Sequence, residues 1–237
     1  MSQASFNGAP VSGIIFDKDG TLFDFRATWT AWVQSFLAEL TDGDPTRAHS
    51  LGQQIGFDTR SSEYHPQSPV VAGSAVEIAE LLLSELPGHD FEGLLAHMNY
   101  AAARAPMAEA APLAPTLTRL TDMGIRLGVA TNDAEYPARV HLSSVGILEH
   151  FDFIAGCDSG HGAKPDPGQL LAFAAQTQCP PEQTIMVGDS RHDLRAGRAA
   201  GMITIGVLTG PAHKEDLADL SDQILDHVGD LPDFLSQ

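Results

Sequence analysis

Apolar positions in this chain fall into two kinds of run. Short β-branched blocks bounded by glycine or polar residues read as buried strands: about Val11 to Phe16, Ile125 to Ala130, Phe151 to Ala155, Thr184 to Val187 and Met202 to Val207. A weaker block covers Gln223 to Leu225. Between them, helical spacing predicts helices over about Pro112 to Met123, Ala134 to Val145, Pro167 to Gln178 and Leu194 to Ala200. Strand and helix in alternation predict an α/β fold with an open parallel sheet and right-handed crossovers. The stretch from Phe25 to Ala105 breaks the alternation. It holds no convincing strand and reads as four helices: Trp29 to Leu40, Thr46 to Ile55, Val70 to Leu86 and Phe91 to Arg104. A polar segment, Phe57 to Pro69 (FDTRSSEYHPQSP), precedes the third, and a Pro/Ala-rich connector, Pro106 to Pro115, follows the fourth. An all-helical insert between the first strand and the rest predicts a second domain over the sheet edge. The expected division is residues 1–24 and 108–237 for the α/β core and 25–107 for the insert, hinged near Asp24 and Pro106 to Pro112.

Composition narrows the class. The 237 residues suffice for one large or two smaller domains, and 43% are hydrophobic, enough for a real core. No 18-residue uncharged apolar run is present, so no membrane span is expected. The start, MSQASFNGAP, lacks the basic-then-apolar order of a signal peptide and reads as a short frayed tail. Cys157 and Cys179 show no C-x-x-C spacing and read as two buried free thiols in a reducing compartment, hence a cytoplasmic location. The net charge of −18 and pI near 4.6 disfavour nucleic acid and anionic membranes as partners. If the ligand is itself anionic, a bound metal and a few well-placed cations must overcome that field.

Ligands of open α/β sheets bind outside the carboxyl ends of the strands. The first strand is followed by Asp17, Asp19 and Thr21, the second by Thr131, Asn132 and Asp133. A Gly-rich loop after the third carries Lys164 (GHGAKPDPG), and the fourth is followed by Gly188, Asp189, Ser190 and Asp193. Polar ends on every central strand point to one convergent site. The Lys164 loop is not a nucleotide P-loop, because it lacks the GK[ST] ending.

DKDGT, VATN, a lone Lys before Pro-Asp-Pro, and GDSRHD, in this order, resemble the four-motif signature of the haloacid dehalogenase (HAD) superfamily. The resemblance covers nearly the whole chain. It implies a Rossmann-like core, a C1-type helical cap in place of the insert, and Mg²⁺-dependent phosphatase chemistry through an aspartyl-phosphate. Within the superfamily the chain looks most like the phosphoglycolate phosphatase group. Chemically, a carboxylate can attack phosphorus and split one hard displacement into two easier ones. That role falls to Asp17. Asp19, two residues on, is expected on the same side, placed to protonate the leaving alcohol and then to take a proton from water. Lys18 is expected to point away from both carboxylates, as a residue packed behind the site or facing the insert, with substrate contact as the alternative. The family usually has an apolar residue there.

Four clustered aspartates raise one another's pKa, and a divalent cation relieves this. By the resemblance, the Mg²⁺ ligands are the Asp17 carboxylate, the Asp19 carbonyl and the Asp189 carboxylate, with Asp193 just behind or reaching the metal through water. Lys164 would neutralise Asp17 and the phosphoryl oxygens, and Thr21, Thr131 and Asn132 would donate to the same oxygens. The expected partner is a small phosphate ester, with the protein a monomer or homodimer. Competing readings are a sugar phosphomutase or a pyrophosphatase of the same fold, and a non-catalytic phosphate-binding protein. The ten histidines form no metal-binding spacing. His192 reads as solvent-exposed. Trp29 and Trp32, with Phe25 and Phe36, read as the packed face of one helix. Arg26 is a candidate for steering an anion. The segment around Arg60, Tyr64 and His65 is the best candidate for a cap loop that dips into the site.

Overall fold

The computed structural model describes residues 4–65 and 67–236. The chain opens on a small hairpin, β1 (Ser5–Phe6) and β2 (Ala9–Pro10). This corrects the expected frayed tail over residues 4–10; residues 1–3 lie outside the described part. Ala4 is fully buried, the Ser5 N–H donates to the Leu235 carbonyl at 3.1 Å, and Phe6 packs on Phe234. Burying these apolar groups ties the segment to the core.

Strand β3 (Gly13–Phe16) follows, buried at all four positions. The insert comes next. Its helices are α1 (Phe25–Leu40), α2 (Pro45–Gln54), α3 (Pro69–Ala72), α4 (Ala75–Leu83) and α5 (Phe91–Ala102). Between α2 and α3 lies a short hairpin, β4 (Phe57–Asp58) with β5 (Glu63–Tyr64). The insert is therefore not all-helical. The single helix expected over Val70 to Leu86 is two. Gly73 sits extended at ψ −174° and ends α3, and Ser74 starts α4 with a reciprocal capping box to Glu77. That box satisfies amide donors a continuous helix would have satisfied itself, so the break is inexpensive.

The remainder alternates as expected: α6 (Leu113–Asp122), β6 (Arg126–Ala130), α7 (Glu135–Ser144), β7 (Phe153–Ala155), α8 (Gly168–Thr177), β8 (Thr184–Gly188), α9 (Arg191–Ala199), β9 (Ile203–Val207), α10 (Lys214–Leu217), β10 (Gln223–Leu225) and α11 (Leu231–Phe234). The large sheet is parallel throughout, in the order β10-β9-β8-β3-β6-β7. The chain leaves β3 to build β6 and β7 on one side, then crosses to build β8, β9 and β10 on the other. That reversal leaves a crevice at the carboxyl end of β3, the place where open sheets hold ligands. The register sets Phe16 opposite both Val129 and Val187, so the residues after β3, β6 and β8 emerge at one level.

One apolar cluster on one sheet face joins Ile14, Phe16, Leu117, Leu127, Leu142 and Ile185. A second, including Ile15, Leu170, Phe173 and Met186, covers the other face. The insert has its own cluster, with Trp32, Phe36, Leu37, Phe57, Leu82 and Met98. Phe25, Trp29, Trp32, Val33, Phe36, Leu37 and Leu40 recur along α1 at helical spacing and are all buried. The two passages between core and insert lie side by side: the Asp24 N–H donates to the Ala108 carbonyl at 2.8 Å, and the Ala110 N–H to that of Leu22 at 2.9 Å. Asp24 also caps α1 through the Ala27 N–H.

Candidate active site

The strand β3 ends at Phe16, and Asp17 stands one residue beyond it. The Asp17 N–H still donates to the Val187 carbonyl at 2.8 Å, so its backbone keeps the rigidity of the sheet. The chain then turns. The Leu22 and Phe23 N–H groups donate to the Lys18 carbonyl, and that of Gly20 to the Phe23 carbonyl. Gly20 has φ +87°, and a Cβ there would lie 2.4 Å from Asp189 Oδ2. Glycine is required twice over, by backbone conformation and by space.

Asp189 follows β8 directly, and Asp193 lies in the first turn of α9. Ser190 caps that helix, and its N–H and hydroxyl both donate to Asp193 Oδ2, at 3.0 and 2.7 Å. The other Asp193 oxygen faces Lys164 Nζ at 2.6 Å, and the same ammonium lies 2.5 Å from Asp17 Oδ1. Lys164 is held from behind by Asn132, whose Oδ1 accepts the Lys164 N–H at 2.8 Å while Nδ2 donates to the Lys164 carbonyl at 2.9 Å. Thr21 donates its hydroxyl to Asp189 Oδ1 at 3.1 Å, and the Thr131 hydroxyl accepts the Asp133 N–H. Asp17, Asp189 and Asp193 offer carboxylate oxygens within 4.8 Å of one another, and all three are buried. The sequence-derived residues thus converge on one point. Asp19 differs, since its side chain is not part of the carboxylate cluster.

Electrostatically the cluster is over-acidic. Burial pushes Asp17 up to about 7; Asp193 and Asp19 push the same way, while Lys164 opposes them. Asp189 is driven well above the usual carboxylate range by burial and by its two acidic neighbours. Burial alone would lower Lys164, but Asp17 and Asp193 more than offset it and hold the ammonium charged. Three crowded, hard oxygen donors fit a small divalent cation such as Mg²⁺.

Lys18 departs from expectation. Its ammonium does not turn away from the acidic groups: it lies 2.7 Å from Asp19 and 3.3 Å from Asp133. Alternation cannot be carried past Phe16, because residues 17–20 form a turn and not a strand. The side chain is completely buried, with no surface open to solvent. It also meets His141 Nδ1 at 3.1 Å and lies over the Trp29 ring at 5.3 Å. The other His141 nitrogen, Nε2, is 2.8 Å from the Ala102 carbonyl at the end of α5. An ammonium only donates and a carbonyl only accepts, so His141 carries its proton on Nε2. Core and insert are joined through this ring, which no motif in the sequence marked.

Between core and insert lies a cleft of about 710 Å³, its open mouth included. Asp17, Asp19, Lys164, Asp189 and Asp193 lie on its core side. Trp29 and Trp32 line its insert side, so they serve both as packed helix face and as cleft wall. His192 is half-buried and lines the cleft, against the expected solvent exposure. Arg60, Tyr64 and His65 do not line it; Val70, Val71 and Gly73 do. Pro66 of that segment lies outside the described residues. The hairpin β4–β5 turns the polar segment outward and leaves α3 to face the core. Arg26 pairs with Glu63 at 3.1 Å on the surface.

A parallel sheet carrying a carboxylate–lysine constellation at its topological switch point defines a doubly wound α/β protein with a charged candidate site at that point. Residues 14–207 match the family model described as haloacid dehalogenase-like hydrolase, and the chain belongs to that family. It is 27% identical over 234 residues to a phosphoglycolate phosphatase of Nitrosococcus oceani, covering 94% of this chain and 96% of that protein. It is 36% identical over 120 residues to a phosphoglycolate phosphatase of Salmonella choleraesuis, a match that takes in 50% of this chain and 48% of that one. Its fold matches the crystal structure of a HAD phosphatase from Thermococcus onnurineus with a TM-score of 0.68 at 21% identity, covering 95% of this chain and 98% of the other.

Proposed function

We propose that this protein is a Mg²⁺-dependent phosphatase that hydrolyses a small phosphate monoester through an aspartyl-phosphate on Asp17, in the manner of the phosphoglycolate phosphatase group. The observation that carries the reading is the bond of one buried lysine, Lys164, to both Asp17 and Asp193 at 2.5 and 2.6 Å, beside Asp189. Such a set of charges is costly to bury and is expected where charge is handled chemically.

In this reading Asp17 attacks phosphorus in line with the departing alcohol. Asp19, at the edge of the cleft, protonates the leaving oxygen and later takes the proton of the attacking water. Lys164, with a donor from Thr131, meets the negative charge on the equatorial oxygens; Thr21, buried off the cleft, gives its hydroxyl to Asp189 instead, and Asn132 fixes the main chain of Lys164. Asp17, Asp189 and the Asp19 carbonyl would hold Mg²⁺, with Asp193 behind them. Bound there, the ion would offset the carboxylate charge and polarise the phosphoryl group. We assign residues 1–24 and 108–237 to the catalytic core and 25–107 to a cap whose closure excludes bulk water. Cys157 and Cys179 are free, Cys179 buried and Cys157 half-buried, which suits a reducing cytoplasm. Among the described residues no helix is long and apolar enough to cross a membrane.

The test is phosphate release from a panel of monoesters, with Mg²⁺ or with EDTA. Metal-dependent release is expected, and Asp17→Asn is expected to lower it by at least roughly a thousandfold while leaving the circular dichroism unchanged. A variant with near-wild-type turnover would sink the mechanism.

A further inference from the structure

The insert wall of the cleft has a distinct chemistry. It is built from Phe25, Trp29, Trp32, Val71, Ile78 and Met98, all apolar. Trp29 meets Trp32 edge-on at 5.1 Å, and Trp32 stacks on Phe36 at 5.2 Å, so the aromatic wall is braced from behind. Two of the lining residues carry an unpaired polar atom. Trp32 is 92% buried, yet its Nε1–H has no partner. Asn99, also on the lining, has a buried Oδ1 with no partner. Buried polar groups are normally satisfied, and an unpaired donor and an unpaired acceptor on a ligand cleft are places for a ligand to bond.

Cations are equally informative. The insert carries four arginines, Arg26, Arg47, Arg60 and Arg104, and no lysine. None of the four lines the cleft. On the core side, Lys164 is committed to Asp17 and Asp193, and Lys18 lies behind Asp19 and does not reach the lining. Among the described lining residues the one remaining basic group is His192, against the carboxylates of Asp17, Asp19, Asp133, Asp189 and Asp193. The phosphoryl group can be met by Lys164 and a metal. A second anion on the leaving group would meet an apolar wall and an acidic floor, with no lysine or arginine left to pair with it, at a heavy desolvation cost.

We propose that the alcohol released at this site is a neutral, largely apolar body bearing a hydroxyl group, and that this cleft rejects leaving groups carrying a carboxylate, glycolate included. The proposal rests on the phosphatase reading above for the reaction, and on the wall itself for the preference. A hydroxyl can supply either missing function, since its oxygen can accept from Trp32 Nε1 or its proton can go to Asn99 Oδ1.

Three esters that differ in one substituent test it: phenyl phosphate, 4-hydroxyphenyl phosphate and 4-carboxyphenyl phosphate, with 2-phosphoglycolate beside them. In the presence of Mg²⁺, kcat/KM for the phenyl ester is expected to exceed that for either carboxylate ester by roughly tenfold or more. The hydroxyphenyl ester is expected to exceed the phenyl ester a fewfold, an advantage that Trp32→Phe and Asn99→Leu should each erase. Val71→Arg, which adds a cation to the wall, is expected to raise the carboxyphenyl ester relative to the phenyl ester by roughly tenfold. A carboxylate ester used as well as phenyl phosphate by the wild type overturns the proposal. Calorimetric binding of phenylphosphonate and 4-carboxyphenylphosphonate to the wild-type protein, which involves no turnover, reads the same preference separately. If no ester releases phosphate but the neutral phosphonate binds roughly tenfold tighter, the phosphatase reading falls and the assignment of the wall stands. Equal binding of the two overturns the wall.

Discussion

Lys18 and His141 show how much one buried cation organises. The Lys18 ammonium sits against Asp19, Asp133 and His141 with no exposed surface. Burial alone would lower its pKa, but the two carboxylates more than offset this and keep it charged. Lys18→Met removes the charge and leaves two carboxylates facing one another. It is expected to cost about 3 kcal/mol in urea unfolding, the order measured when one partner of a buried pair is deleted. Burial, together with the nearby Lys18 charge, lowers the His141 pKa to about 4 from 6.5. A depressed folded-state value means that the unfolded chain binds the proton more readily. Stability from this ring is therefore complete above about pH 6.5 and is lost as pH falls toward 4. Between about pH 7 and pH 5 the loss is expected to be about 2 kcal/mol. His141→Gln, which cannot take up the proton, should show a smaller fall in its urea midpoint over the same interval; an unchanged fall would remove His141 from the account.

At the scale of elements, the insert shows capping overruling a hydrophobic pattern. Apolar spacing runs on from Val70 through Leu83, yet α3 and α4 separate at Gly73, because Ser74 and Glu77 cap a new start. Ser74→Ala is expected to lower stability by about 1 kcal/mol, read from denaturant unfolding. The break has a functional side, since α3 and Gly73 come to line the cleft. Six strands were legible within two residues at each end, because short β-branched runs in a parallel sheet are buried on both faces and leave little ambiguity. The two-residue strands β4 and β5 were not legible. A pair so short has no periodicity to read, and only its turn and its packing on α2 make it a hairpin.

Over the whole molecule, net charge and local charge meet at the carboxylate cluster. Asp17 is raised to about 7 from 3.8, chiefly by burial. A raised folded-state value means that its contribution is complete below about pH 3.8 and is lost as pH rises through 7, where the clustered carboxylates ionise with Lys164 as the one ammonium bonded among them. Addition of Mg²⁺ is therefore expected to raise the melting temperature by about 5 °C or more near pH 8, and by less than half as much near pH 5. Asp189→Asn should abolish the rise; an equal rise at both pH values would exclude these carboxylates as the metal site. Asp17, Asp19, Thr21, Thr131, Asn132, Lys164, Asp189 and Asp193 could be read from sequence, because each follows a strand or begins a helix, and chain order alone places such positions at one edge of a parallel sheet. The folded arrangement decided the rest. The path of a lysine side chain past a strand end, a histidine joining core to insert, and an apolar wall assembled from α1, α3, α4 and α5 depend on residues far apart in the chain. Contacts of that kind are settled by packing and burial in three dimensions, and local pattern carries no trace of them.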